Sequence, residues 1–440
     1  MSSSRRKRSA QRGRPKKRSR NRQRSQNMAP SCSIDHTDKG MVPLDCSNHD
    51  LDETAGVQKR GCVEDKEAVT TDFGWGSVIP VEILHRVFQV LADSEGAVPA
   101  LCRLSQVCRL WRQVASSLDL WRRVTVSHCW VLPDENDPPR TQQRVMKTME
   151  AFIQQWLPQV SDFSLHRWKS SVSFVVKNLS QSCPLLSSLT LSHCNLVTED
   201  DLLSIGRCCP QLRNLNLQYS KVQFDAVQRF LQMYGARLRR LWLSYSLHMN
   251  SIIAGLARGC CPDLRLLEVN VPIWSKIKTS QFPIEGLQAS CPRLEVLRLS
   301  HVPWLAKPEP QNPTGAPGFP QLQELCLADF VSNMEDDVCQ KLLTNSRKLR
   351  VLNLRGCIKV SPQGLWELPC SDVEQLYLGL SSTRMVSSSI VSGSHLLTSK
   401  WRHSLQELDL KGQGYTEEDL AEALYNLSRG SGAGNDALGF

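Results

Sequence analysis

CCPQLRNLNL, residues 208–217, returns 52 residues later as CCPDLRLLEV, residues 260–269. Two adjacent thiols ahead of one leucine pattern admit two readings: a metal site built twice, or buried punctuation between repeating units. Zinc needs converging ligands, usually two C-x-x-C pairs or one C-x-x-C with His. No C-x-x-C occurs anywhere in the 440 residues. A small, buried, apolar position is where free Cys often sits, so punctuation is the expectation, with no metal and no cofactor.

Aligned on their leucines, the two copies belong to a longer series. L-x-x-L-x-L, with aliphatic or Phe substitutes, starts at Val160, Leu186, Leu212, Leu238, Leu264, Leu294, Leu322, Leu349, Val373 and Leu405. The first four steps are 26 residues each and the others 30, 28, 27, 24 and 32. This period and triplet are the leucine-rich-repeat signature, in which each unit supplies a short strand and a return segment. One unit cannot bury its own leucines, so strands must stack side by side. Cys183, Cys209, Cys261, Cys291 and Cys370 fall three residues before the first leucine position, where a return helix ends. Thr198 to Asp201 and Thr416 to Asp419 read as capping boxes at helix starts. The expected fold class is α/β: a leucine-rich-repeat solenoid with a curved parallel sheet and outer helices, about ten repeats over residues 158–440.

The spacing resembles the cysteine-containing leucine-rich-repeat subfamily, but the Cys that ends the strand there is kept only at Cys194 and Cys357. Irregular turns are therefore expected in the middle of the array. At the C-terminus the chain reaches GSGAGNDALGF where another triplet is due, which reads as a shortened end.

Ahead of the array, residues 75–126 carry two apolar stripes at helical spacing. One holds Ile83, Val87 and Leu91 with Leu84 and Phe88 beside them; the other holds Leu104, Val107, Cys108, Trp111, Val114 and Ala115. Ile79-Pro80, Glu82-Ile83-Leu84, Val107-Cys108-Arg109-Leu110-Trp111 and Leu120-Trp121 together resemble the F-box family. That resemblance implies a small all-α F-box at residues 73–127, followed by a connecting helical segment at 128–157. It implies a receptor of a Skp–cullin–F-box ubiquitin ligase, with the Skp adaptor, a cullin scaffold and a RING subunit as partners. Carried over from the family, the adaptor contacts are Ile79, Pro80, Ile83, Leu84, Val87, Val107, Trp111 and Trp121. Internal packing of the same side chains is the alternative, since Trp serves both core and interface.

In each strand the leucines face inward and alternate residues project from the concave face. The central projecting position reads Ser164, Thr190, Asn216, Trp242, Glu268, Arg298, Cys326, Asn353, Tyr377 and Asp409. Folding alone gives no reason for Trp242 or Tyr377 in that row. With Arg240 and Arg355 on flanking tracks, Arg240, Trp242, Arg298, Arg355 and Tyr377 form the expected surface for an unknown protein substrate.

The net charge of +10 is concentrated at one end. Residues 5–24 hold twelve Lys or Arg and no acid precedes Asp35, which leaves the rest of the chain near −2. Gly13-Arg14-Pro15 in this run resembles an AT-hook, and Arg12, Arg14, Lys16, Lys17 and Arg18 are candidates for nuclear targeting or weak nucleic-acid contact. Residues 1–72 read as a disordered basic tail and linker. No apolar leader follows the basic run and no 18-residue apolar stretch occurs, so reduced thiols, nucleus and cytoplasm, and no membrane are expected. No P-loop, H-E-x-x-H or G-x-S-x-G occurs, and a non-catalytic interaction protein is the leading class. The competing class is a nuclear nucleic-acid- or chromatin-associated scaffold that uses the basic tail.

Overall fold

A computed structural model describes residues 79–127, 139–244, 249–270, 280–300, 304–306, 318–328, 334–379, 393–413 and 415–430. The basic tail, the linker and the Pro-rich stretch 307–317 lie outside them. Thirteen strands are present among the described residues: β1 Arg123–Ser127, β2 Asp162–His166, β3 Ser188–Ser192, β4 Asn214–Asn216, β5 Arg240–Ser244, β6 Leu266–Asn270, β7 Ser280–Phe282, β8 Val296–Ser300, β9 Trp304–Ala306, β10 Glu324–Cys326, β11 Val351–Asn353, β12 Gln375–Tyr377 and β13 Glu407–Asp409. Eleven form one sheet in the order β1-β2-β3-β4-β5-β6-β8-β10-β11-β12-β13, and β7 pairs with β9 apart from it.

Every pairing is parallel, and the register keeps equivalent repeat positions opposite one another. Phe163, Leu189, Leu215, Leu241, Leu267, Leu297, Leu325, Leu352 and Leu376 lie on one continuous row. All of these are buried. Parallel strands need crossovers, and helices such as Glu199–Cys208, Phe224–Tyr234 and Met249–Ala257 provide them. The sheet starts one strand before the first leucine triplet. β1 pairs along its whole length with β2, placing residues 123–127 in the sheet rather than only at the end of the helical unit.

The cysteines have a structural use. Cys209 Sγ donates to the Cys183 carbonyl at 3.5 Å, and Cys291 Sγ to the Cys261 carbonyl at 3.8 Å, each reaching the equivalent position of the preceding repeat. Cys194 Sγ and Cys357 Sγ reach the Leu165 and Leu327 carbonyls, both at 3.4 Å. Among the described residues no group of three or more His, Cys, Asp or Glu is placed to hold a metal ion. Burial disfavours the thiolate and pushes Cys183 and Cys291 up to about 12 and Cys209 to about 11. Cys108 and Cys208 are exposed. Of the described cysteines, iodoacetamide at pH 8 is expected to modify these two first, with Cys183, Cys209 and Cys291 slower by on the order of 100-fold. Peptide mass mapping over time reads this, and uniform labelling would mean that the repeats open freely.

Helix starts are tied to neighbouring helices by carboxylates. Thr198 and Asp201 form a complete capping box, and Asp201 Oδ2 also accepts from Ser173 Oγ at 2.7 Å. At the second expected box only half forms. Thr416 Oγ1 accepts from the Asp419 amide at 3.2 Å, while the Asp419 carboxylate accepts from the Gly393 and Ser394 amides, both at 3.1 Å, and from Ser394 Oγ. Asp336 plays the same part toward the Ser361 amide at 2.7 Å.

The turns expected to be irregular fall largely at residues 245–248, 271–279, 301–303, 329–333 and 380–392, outside the described residues. No helix lies between β8 and β10 among the described residues. The fully buried Gln288, on the helix Ile284–Ser290, donates to the carbonyls of Lys341 and Leu342 at 3.0 and 3.2 Å. Those groups belong to the last turn of the helix Asp336–Leu343, where carbonyls lack intrahelical donors.

Candidate protein-interaction surfaces

The helical unit in front of the sheet consists of helices Val81–Glu95, Ala97–Leu104 and Arg109–Ala115 and a 3₁₀ turn at Leu118–Trp121. Pro80 precedes the first helix, where its missing N–H is no loss, and its carbonyl accepts the Ile83 and Leu84 amides at 3.0 Å. The first helix is apolar on two faces. Leu84 and Phe88 point into the core, with Phe88 edge-on to Trp111 at 5.2 Å between ring centroids. Ile83, Val87 and Val90, spaced i, i+4, i+7, are 55%, 46% and 55% exposed, and Val81 is also exposed.

The family-derived adaptor contacts therefore divide. Pro80, Ile83, Val87 and Val107 are exposed; Ile79 and Trp111 are half-buried against the core. Leu84 and Trp121 are only 2% and 3% exposed and are corrected to core residues. Trp121 Nε1 donates to the Ala115 carbonyl at 2.9 Å, and its ring meets Phe152 and Trp156 of the helix Pro139–Trp156. It fastens the helical unit to the following segment. Val81 and Val90 are exposed on the same helix, and the i, i+4, i+7 spacing from Ile83 to Val90 was there to read.

The expected central row of the concave face is in register throughout. Ser164, Thr190, Asn216, Trp242, Glu268, Arg298, Cys326, Asn353, Tyr377 and Asp409 face one another strand by strand, with Thr125 added by β1. Its charges are unevenly committed. Arg298 makes a two-pronged ion pair with Glu324, Nε to Oε1 at 2.6 Å and Nη2 to Oε2 at 2.8 Å, and reaches Glu268 at 3.1 Å. Glu268 in turn accepts from Gln218 and Asn270. These carboxylates hold the Arg298 guanidinium firmly charged, raising it above its ordinary value against the opposing effect of burial.

Farther along, Arg355 pairs with Asp409 at 2.6 Å and lies 4.4 Å over the Tyr377 ring, while the Tyr377 hydroxyl donates to Glu407 at 2.6 Å. Burial, then the Glu407 contact, push the Tyr377 hydroxyl up to about 12. Three of the five expected substrate-binding residues, Arg298, Arg355 and Tyr377, are thus engaged with neighbouring carboxylates. Arg240 is exposed and Trp242 half-buried, on the same face of β5. The candidates Arg12, Arg14, Lys16, Lys17 and Arg18 lie outside the described residues.

A family profile described as F-box-like matches residues 77–127. F-box/LRR-repeat protein 4 of Bos taurus is 26% identical over 355 residues, which is 71% of this chain and 54% of that protein. The chain thus spans about half the length of the curated relative it matches. Among solved structures, a chain of the yeast Rad7 and Elc1 complex overlaps 77% of this chain and 90% of its own length, at 18% identity and a TM-score of 0.44. A chain of Chaetomium Mex67:Mtr2 overlaps 30% and 88%, at 18% identity and a TM-score of 0.22. The eleven-stranded parallel sheet itself defines the fold.

Proposed function

This chain joins an F-box-like domain to a leucine-rich-repeat solenoid, the build of F-box/LRR-repeat proteins, and we propose that it is the substrate receptor of a Skp–cullin–F-box ubiquitin ligase. The observation that carries the reading is the second apolar face of the helix Val81–Glu95. Ile83, Val87 and Val90 stand exposed together although Leu84 and Phe88 already complete the core, and an exposed apolar patch on a small helical unit marks an interaction site. The adaptor docks there, and the cullin scaffold and RING subunit follow through it. The concave face holds the protein to be modified, and the receptor supplies binding rather than chemistry.

The test is co-purification of the full chain with the Skp adaptor and the cullin scaffold. Stoichiometric recovery of both is expected. An adaptor-free chain with folded repeats would overturn the reading and leave the helical unit as an N-terminal cover of the sheet.

A further inference from the structure

The residue that precedes each strand forms a second ladder beside the concave face. Its members, joined by amide-to-carbonyl bonds, are Ser161, Ser187, Arg213, Arg239, Arg265, Glu295, Gln323, Arg350, Glu374 and Gln406. Where this ladder carries Arg near Glu it neutralises itself: Arg265 pairs with Glu295 at 3.0 Å and Arg350 with Glu374 at 3.4 Å. Arg298 and Arg355 on the concave face are likewise paired.

One place breaks this rule. Arg213, Arg237, Arg239 and Arg240 crowd the starts of β4 and β5, and among the described residues none has a carboxylate within ion-pairing distance. Arg213 Nη1 reaches only the Arg237 carbonyl at 3.4 Å, and Arg237 donates to the Gly206 carbonyl and lies over the Tyr234 ring. Burial, with repulsion from Arg213 among the smaller causes, lowers the Arg237 guanidinium from its ordinary value. Arg239 and Arg240 are exposed. Adjacent strands lie about 4.8 Å apart, and Arg213 stands close enough to Arg237 to add a repulsive cost. An anion at this spot relieves that cost, and guanidinium forks match carboxylate and phosphoryl oxygens.

We propose that the starts of β4 and β5 form an anion seat, in which Arg213, Arg239 and Arg240 hold carboxylate or phosphoryl oxygens of an acidic segment of the substrate laid across Trp242. The inference rests on the receptor reading and deepens it by naming the chemistry of the substrate. Trp242 follows Arg240 by two residues on the same face, and Asn214 and Asn216 lie opposite these two on β4. That grouping sets an aromatic platform and amide donors beside the guanidiniums, a composition typical of binding hot spots. The Glu268–Arg298–Glu324 cluster closes the seat on one side, because its cation is already shared between two carboxylates.

The full chain is mixed at physiological salt with three 12-residue peptides that carry a central benzoylphenylalanine among Glu and Gly, phosphoserine and Gly, or Lys and Gly. Photo-crosslinks are mapped by mass spectrometry, which separates the seat from the basic run at residues 5–24. At least one anionic probe is expected to attach within residues 214–270, the Glu and phosphoserine arms telling carboxylate from phosphoryl. Arg239→Ala/Arg240→Ala is expected to reduce that yield at least tenfold. Attachment only at residues 5–24, equal yield from the Lys probe, or an unchanged yield in the variant overturns the seat. Displacement of the peptide by an equimolar single-stranded oligonucleotide reassigns it to nucleic acid and also overturns it. Adaptor co-purification, run in parallel, reports on the receptor reading alone: a lost crosslink with the adaptor retained sinks only the seat.

Discussion

Ile83→Asp combined with Val87→Asp is expected to abolish capture of the Skp adaptor while the repeats melt at their usual temperature. Both side chains are about half exposed, so the folded chain loses little packing when they change. Surface substitutions of this kind usually shift stability by no more than about 0.5 kcal/mol. Ile83 is also the third residue of its helix, where a carboxylate interacts favourably with the amide end of the helix. At an interface the same changes remove two apolar anchors and bury two charges without partners. Anchors of this type are worth about 2–4 kcal/mol each, and about 4 kcal/mol in sum already lowers affinity on the order of 1,000-fold. Leu84→Asp is the comparison: it places a charge in the core and should disorder the helical unit itself. Titration calorimetry with purified adaptor, alongside circular dichroism melts, checks both. Binding within tenfold of wild type in the double variant would remove this face from the interface.

Gly318→Ala should be among the most damaging single changes in the solenoid. Gly318 has φ near +66°, and a methyl group on it would sit 1.6 Å from the Thr344 carbonyl oxygen and 2.6 Å from the carbonyl carbon. Both atoms are backbone, held by a turn in which Asn345 itself has φ 63° and Ser346 Oγ donates to the Phe319 carbonyl at 3.2 Å. Neither side can yield without displacing the fully buried Phe319. A loss of more than about 4 kcal/mol is expected. Gly259→Ala is the control. It shares the left-handed backbone, with φ +89°, but the nearest atom to its added methyl is Ser290 Oγ at 3.8 Å. Left-handed strain alone costs about 1–2 kcal/mol. Urea melts of the two variants measure the difference, and equal midpoints would show that the close approach at Gly318 relaxes.

The repeats were legible because a fixed step with a leucine triplet leaves one way to stack, and the central row read from sequence matches the strand register residue by residue. β1 was not legible: Arg-Val-Thr-Val-Ser lacks the triplet and joins the sheet through its neighbour. On the helix Val81–Glu95 both faces are apolar, so periodicity alone did not decide which was bare, and Leu84 was placed on the wrong side. The pairing of Arg298 was readable, since Glu268 stands next to it in the same row. That of Arg355 was not: it reaches past β12 to Asp409, two strands away. Four arginines without carboxylates at β4 and β5 emerge only when the neighbours are in place.

The link between the helices Ile284–Ser290 and Asp336–Leu343 bears on how the solenoid comes apart. In a linear array each turn is coupled only to the next, and cooperativity is as strong as the weakest of these joints. Between the helices Ile284–Ser290 and Asp336–Leu343 the outer layer is bridged by Gln288 and by the Lys341–Glu285 pair, while the sheet runs on unbroken through β8 and β10. Replacing Gln288 is therefore expected to loosen the coupling between the repeats on either side of β8 and β10, while the strand pairing there stays in place.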